Sequence, residues 1–216
     1  MAENFNILCI VNDEYYTLAK IATDVIKIKG SRFIGYASPV REREDAEAYI
    51  DRIRKKHHDA THNCSAYRIG LADGAVLRFN DDGEPSGTAG MPILEAIDGR
   101  ELTDTVCVVT RYFGGIKLGT GGLARAYGEC AGRVLDKARS VRRFMTDTIR
   151  VALDYDLTGI VMHAISTFEA RVLDTQYGER TEMCVSVRRS RKDAFLKAIL
   201  DRTSGKAVVL TKEGNR

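Results

Sequence analysis

Between residues 23 and 40 apolar and polar side chains alternate in two stretches, Val25-Ile26-Lys27-Ile28-Lys29 and Arg32-Phe33-Ile34-Gly35-Tyr36, parted by Gly30-Ser31. A period of two on either side of a glycine turn predicts a strand, a tight turn and a second strand. The period then lengthens. Ala46, Tyr49, Ile50 and Ile53 recur at spacings of three and four inside the charged segment 41–57, which predicts an amphipathic helix laid on a sheet. Strands are predicted at 63–71 and 75–80, with Ala72-Asp73-Gly74 as the hairpin between them. Residues 81–90 are turn chemistry throughout, and a short helix at 91–97 is closed by Asp98-Gly99. The β-branched run at 105–111 predicts a strand buried on both faces. A second glycine-rich loop, 114–122, then opens a helix at 123–139 whose buried stripe is Leu123, Ala126, Tyr127, Cys130, Ala131, Val134 and Leu135.

Ser140-Val141-Arg142-Arg143 shows no period and is basic, so a domain boundary is placed near Phe144. Beyond it the pattern predicts strands at 148–155, 171–177, 181–188 and 207–211, with helices at 159–170 and 191–203. That order is β-α-β-β-α-β, the ferredoxin-like split motif. The fold class is therefore α+β, with an N-terminal two-layer α/β domain at 15–143 and a C-terminal ferredoxin-like domain at 146–216.

Composition narrows the function classes. With 44% hydrophobic and 29% charged residues in 216, the chain has the make-up of a folded globular protein. Its net charge of +3 supplies no global basic field, so any contact with nucleic acid has to be local. The basic clusters at 52–56, 137–143 and 188–192 read first as solvated surface. Five scattered cysteines (Cys9, Cys64, Cys107, Cys130, Cys184) with no C-x-x-C pair point away from a disulfide framework and a thiolate zinc site, and toward a cytoplasmic setting. The apolar run at 7–11 is too short to span a membrane and has no basic segment before it, so no membrane role is expected.

Two loops carry the candidate chemistry. Glycines at close spacing let backbone amides approach a ligand, and a helix that starts there favours an anion. Gly114, Gly115, Gly119, Gly121 and Gly122 satisfy that pattern, with Lys117 inside the loop, Arg111 on the preceding strand and Arg125 in the following helix. The spacing is neither that of a Walker loop nor that of the dinucleotide fingerprint. In the first loop Asp81, Asp82 and Glu84 flank Pro85, and Ser86 or Thr88 is placed to cap the short helix. These carboxylates suit either Mg²⁺ with a phosphate group or ion pairs with Arg111 and Arg125. His58 and His62 have the spacing of helical metal ligands, but Asp59 and Asn63 end a helix there, and His62 with Cys64 would share one strand face. Further candidates for binding are Asn63, Tyr112 and Tyr127, the tyrosines as stacking surfaces alongside Phe113.

Three runs of sequence, 60–68 (ATHNCSAYR), 81–90 (DDGEPSGTAG) and 109–127 (VTRYFGGIKLGTGGLARAY), resemble the signature blocks of the YigZ/IMPACT family. The resemblance covers 21–139 as the IMPACT-type domain and 146–216 as the accessory domain of bacterial members. It implies a first domain of the ribosomal protein S-five domain-two type and a second similar to domains of elongation factor G. It also implies an association with translation. Eukaryotic relatives act in translational control through an appended domain that has no counterpart here. The expectation is a non-catalytic binding protein, partnered by RNA, the ribosome or a translation-related protein, with no cofactor. The alternative is a metal-dependent hydrolase or transferase of a small phosphorylated substrate, with Mg²⁺ held by Asp81, Asp82 or Glu84. No nucleophile, base and orienting group stand together in the sequence, which ranks catalysis second.

Overall fold

The computed structural model describes residues 13–71 and 74–210. The chain divides into two compact units, Tyr15–Arg143, and Phe144–Arg216 together with the residues up to Glu14.

In the first unit, β2 (Ala22–Ile28), β3 (Ser31–Pro39), β4 (His62–Ile69), β5 (Val76–Asn80) and β6 (Thr105–Tyr112) form one antiparallel sheet in the order β2-β3-β6-β4-β5. The alternation within β3, β4 and β6 sorts side chains onto two faces. Phe33, Ala37, Cys64, Ala66, Cys107 and Val109 meet α2 (Gly90–Asp98) and α3 (Thr120–Ala138) on one face. Ile34, Tyr36, Tyr67, Val106 and Val108 meet α1 (Arg43–Lys56) on the other. The two-layer expectation describes the α2/α3 side, and α1 adds a smaller layer opposite. The central strand β6 is buried nearly throughout because both faces are covered. The expected hairpin residues Ala72 and Asp73 lie outside the described residues.

Ser140–Phe144, expected to be irregular, is a strand, β7, paired with β1 (Glu14–Leu18) in a separate two-stranded ribbon. Both strands are short and half exposed, so neither leaves a clean alternation to read.

In the second unit, β8 (Thr146–Leu153), α4 (Thr158–Thr167), β9 (Arg171–Tyr177), β10 (Thr181–Arg188), α5 (Lys192–Arg202) and β11 (Val208–Leu210) form an antiparallel sheet in the order β11-β8-β10-β9. This is the ferredoxin-like arrangement. Val151, Leu153, Val185 and Val187 of the sheet pack on Val161 and Ala164 of α4 and on Phe195 and Ile199 of α5. The basic cluster at 188–192 is used structurally: Arg189 and Lys192 pair with Asp147, and Arg191 pairs with Glu169.

Arg188 binds Asp13, whose carboxylate also accepts the Ser190 amide at 3.0 Å and its hydroxyl at 2.6 Å. Burial opposes ionisation of Asp13, but these donors outweigh it and hold its pKa down at about 2. A carboxylate depressed in the folded state stabilises above its unfolded pKa and ceases to do so as pH falls through the folded value. Asp13 is therefore expected to contribute about 2 kcal/mol above pH ~4, lost between pH ~4 and ~2. Urea unfolding of the Asp13→Asn variant and the parent across this range checks it, since their difference should shrink as pH falls.

Candidate functional site

The two loops meet at one end of the sheet, on the α2/α3 face. Arg111 follows Cys107 and Val109 onto that face, so its guanidinium points inward and is only 5% exposed. Its Nη1 donates to Glu84 Oε1 at 2.5 Å, and the Tyr127 hydroxyl donates to the same oxygen at 2.9 Å. His62 Nε2 lies 3.8 Å from that carboxylate, while its Nδ1 donates to the Asp82 carbonyl at 2.7 Å. Arg111 is thus the internal partner of Glu84, the ion-pair alternative for the acidic loop, and this withdraws it from the expected anion site. Tyr127 is fully buried and packs edge-on against Phe33, so it offers no stacking surface. Burial pushes the Tyr127 hydroxyl and the Cys64 thiol up from their ordinary values, and both hold their protons at neutral pH. Cys64 donates to the Asp81 carbonyl at 3.0 Å and is buried, so it does not act with His62 as a nucleophilic pair.

The other two carboxylates of the acidic loop diverge. Asp81 accepts amides from Gly87, Ala89 and Gly90 at 2.8–2.9 Å, and so caps α2. Burial resists its ionisation, but the three amides prevail and hold it below the usual carboxylate range. The expected cap by Ser86 or Thr88 is corrected: α2 has no cap from within its own first residues, and the Thr88 hydroxyl donates to the Pro85 carbonyl. Asp82 accepts the Asn63 amide at 2.6 Å and faces Arg54 at 3.4 Å. Among the described residues no group of three or more His, Cys, Asp or Glu could hold a metal ion.

Asn63 is buried, accepting from Thr110 and donating to the His57 carbonyl, so its amide fixes the sheet end. Tyr112 points to the α1 face, where its hydroxyl donates to Asp59 and meets His57, which in turn bonds Tyr36. It is separated by the sheet from the glycine loop.

The second loop splits in function. Gly114 is packed against the β2–β3 turn, where an added Cβ would stand 1.9 Å from the Gly30 carbonyl carbon. Gly114 is therefore a crossing point of two backbones and not part of an anion cradle. Gly115 and Gly119 have φ of +87° and +72° and open space around them, a conformation that glycine adopts without strain. The expected helix start at 123 moves back to Thr120. The first turn of α3, Thr120-Gly121-Gly122, has no side-chain cap and no acidic residue. A Cβ at Gly121 would lie 3.7 Å from Arg125 Nη1, so that guanidinium folds back over the uncapped turn. Lys117 is exposed in the approach. What the structure brings together is Arg125 and the first turn of α3, while Lys117 is exposed in the loop before it and Arg111 is buried against Glu84.

The Impact N-terminal domain family matches residues 29–135, and DUF1949, a domain of unknown function, matches 151–206. IMPACT family member YvyE of Bacillus subtilis is 40% identical over 93% of this chain and 91% of its own length. IMPACT family member YigZ of Escherichia coli is 33% identical over 88% and 94%. A crystal structure of a hypothetical protein, 30% identical, aligns with 94% of this chain and 99% of its own at a TM-score of 0.68.

Proposed function

The chain belongs to the IMPACT family, and from that premise we propose that it is a binding protein of the translation machinery that contacts RNA through the start of α3. The observation that carries this reading is the uncapped turn at 120–122 beneath the Arg125 guanidinium. The first amides of a helix have no intrahelical acceptor, and the helix dipole adds positive potential there. Where Asp81 fills this need for α2, no side chain among the described residues does so for α3. A backbone phosphate supplies the missing acceptor and meets Arg125 and Lys117 as it does so. The exposed Phe113 and Ile116 beside the loop offer apolar surface to bases or to a partner protein.

Single-stranded RNA is expected to bind with affinity that falls as salt rises. The double variant Lys117→Ala/Arg125→Ala is expected to flatten the slope of log affinity against log salt by about 0.7, one phosphate contact on a single strand. Filter binding or fluorescence anisotropy across a salt series measures both. An unchanged slope with unchanged affinity would remove the reading.

A further inference from the structure

On the opposite face of the same unit, α1 stops short of the sheet edge and leaves a cleft of about 330 Å³ against β4 and β5. Arg43, Glu47, Ile50 and Arg54 line it from one side, a stripe at spacings of four, three and four that a helix presents on one face. Ser65 and Arg78 line it from the sheet. Three guanidinium groups face one carboxylate here, and that carboxylate is engaged: Glu47 accepts the Tyr67 hydroxyl at 2.9 Å and faces Arg43 at 3.7 Å. Arg54 reaches only the rim of Asp82, at 3.4 Å, and its Nε is buried with no hydrogen-bond partner. Arg78 is exposed and has no ion-pair partner among the described residues. At the wall of the cleft the Ser65 hydroxyl keeps contact with solvent and makes no hydrogen bond to protein among the described residues. One guanidinium without a counter-ion, a second with an unbonded Nε, and a hydroxyl open to the cleft define a place for an oxyanion.

We propose that this cleft is a second anion site, taking the terminal phosphate of a phosphorylated small molecule between Arg43, Arg54, Arg78 and the Ser65 hydroxyl. Guanidinium forks match phosphate oxygens in pairs, and the volume suits a small ligand. A terminal phosphate is substituted on one side only and can pass between the arginines to Ser65. A phosphate inside a nucleic acid chain carries substituents on two sides and is held at the rim. The site is independent of the α3 turn, since it shares no residue with it.

The test uses the full chain, amide chemical-shift mapping by NMR, and three probes: inorganic phosphate, adenosine 5′-monophosphate and polyuridylate. Phosphate and the nucleotide are expected to shift amides of β4, β5 and α1 saturably. Arg78→Ala and Ser65→Ala are each expected to weaken the nucleotide about tenfold, with unfolding midpoints unchanged for the exposed Arg78. Lys117→Ala/Arg125→Ala leaves this binding intact, so loss of the RNA reading and loss of this one are told apart. The proposal is overturned if millimolar phosphate and nucleotide leave those amides unmoved, if only polyuridylate shifts them, or if Arg78→Ala binds as tightly as the parent.

Discussion

Replacing Glu84 with alanine is expected to destabilise the N-terminal unit by about 3–5 kcal/mol, the cost of leaving a buried guanidinium without its counter-ion. Arg111 and Glu84 are both more than nine-tenths buried, and the Tyr127 hydroxyl loses its acceptor in the same substitution. Removing both charges together should cost much less. The double variant Glu84→Gln/Arg111→Met retains a hydrogen-bond acceptor for Tyr127 and leaves no uncompensated charge, so the two effects should be strongly non-additive. Urea unfolding of Glu84→Gln, Arg111→Met and the double variant measures the coupling. A Glu84→Ala loss below about 1 kcal/mol would mean that the pair is solvated in solution. The same set separates structure from binding: the pair is buried and meets α3 at Tyr127, so a folded double variant should still bind RNA with the parent's salt slope.

Among the described glycines, Gly114→Ala is expected to be the most damaging replacement by alanine. The added carbon would meet the carbonyl carbon of Gly30 at 1.9 Å and its oxygen at 2.1 Å, both backbone atoms that no rotamer change can move aside. Relief requires the β2–β3 turn and the strand end at Phe113 to separate, which also breaks the Gly114 amide's bond to the Ser31 hydroxyl. A cost of about 3 kcal/mol or more follows. Gly121→Ala is the control, because its nearest neighbour is a flexible guanidinium at 3.7 Å. There the exchange removes a helical glycine and should be neutral or stabilising by up to about 1 kcal/mol. Thermal melts of the two variants side by side measure the difference.

The contrast between these two glycines marks what could be read from sequence. Periodicity located the strands and helices of both sheets, because burying one face forces a spacing of two or of three to four. The β1–β7 ribbon escaped, since its half-exposed strands pair with each other and carry no alternation. In the loops, composition identified the place but not the roles. A run of glycines looks the same whether it admits a phosphate or another backbone, and Gly114 admits a backbone. Arginine beside a glycine loop likewise fits either a phosphate receptor or a buried pair. The deciding signal for Arg111 was parity on β6: it shares the face of Cys107 and Val109, which turns it under α3. Capping of α2 by Asp81, eight and nine residues upstream of the amides it binds, lies beyond any local motif. The arginine cleft had no sequence signature, because its residues come from α1, β4 and β5 and converge only when the sheet edge forms.

The bond between Asp13 and the Arg188–Ser190 turn makes the ferredoxin-like unit discontinuous along the chain. During synthesis the ribosome delivers that aspartate first and its partners some 175 positions later, after the whole five-stranded sheet has emerged. The earlier unit can close on its own contacts, whereas the later one must wait for a residue to be joined across everything made in between. A gene fragment cut at the apparent boundary would separate the turn from its carboxylate and strand a cation that the intact polypeptide neutralises.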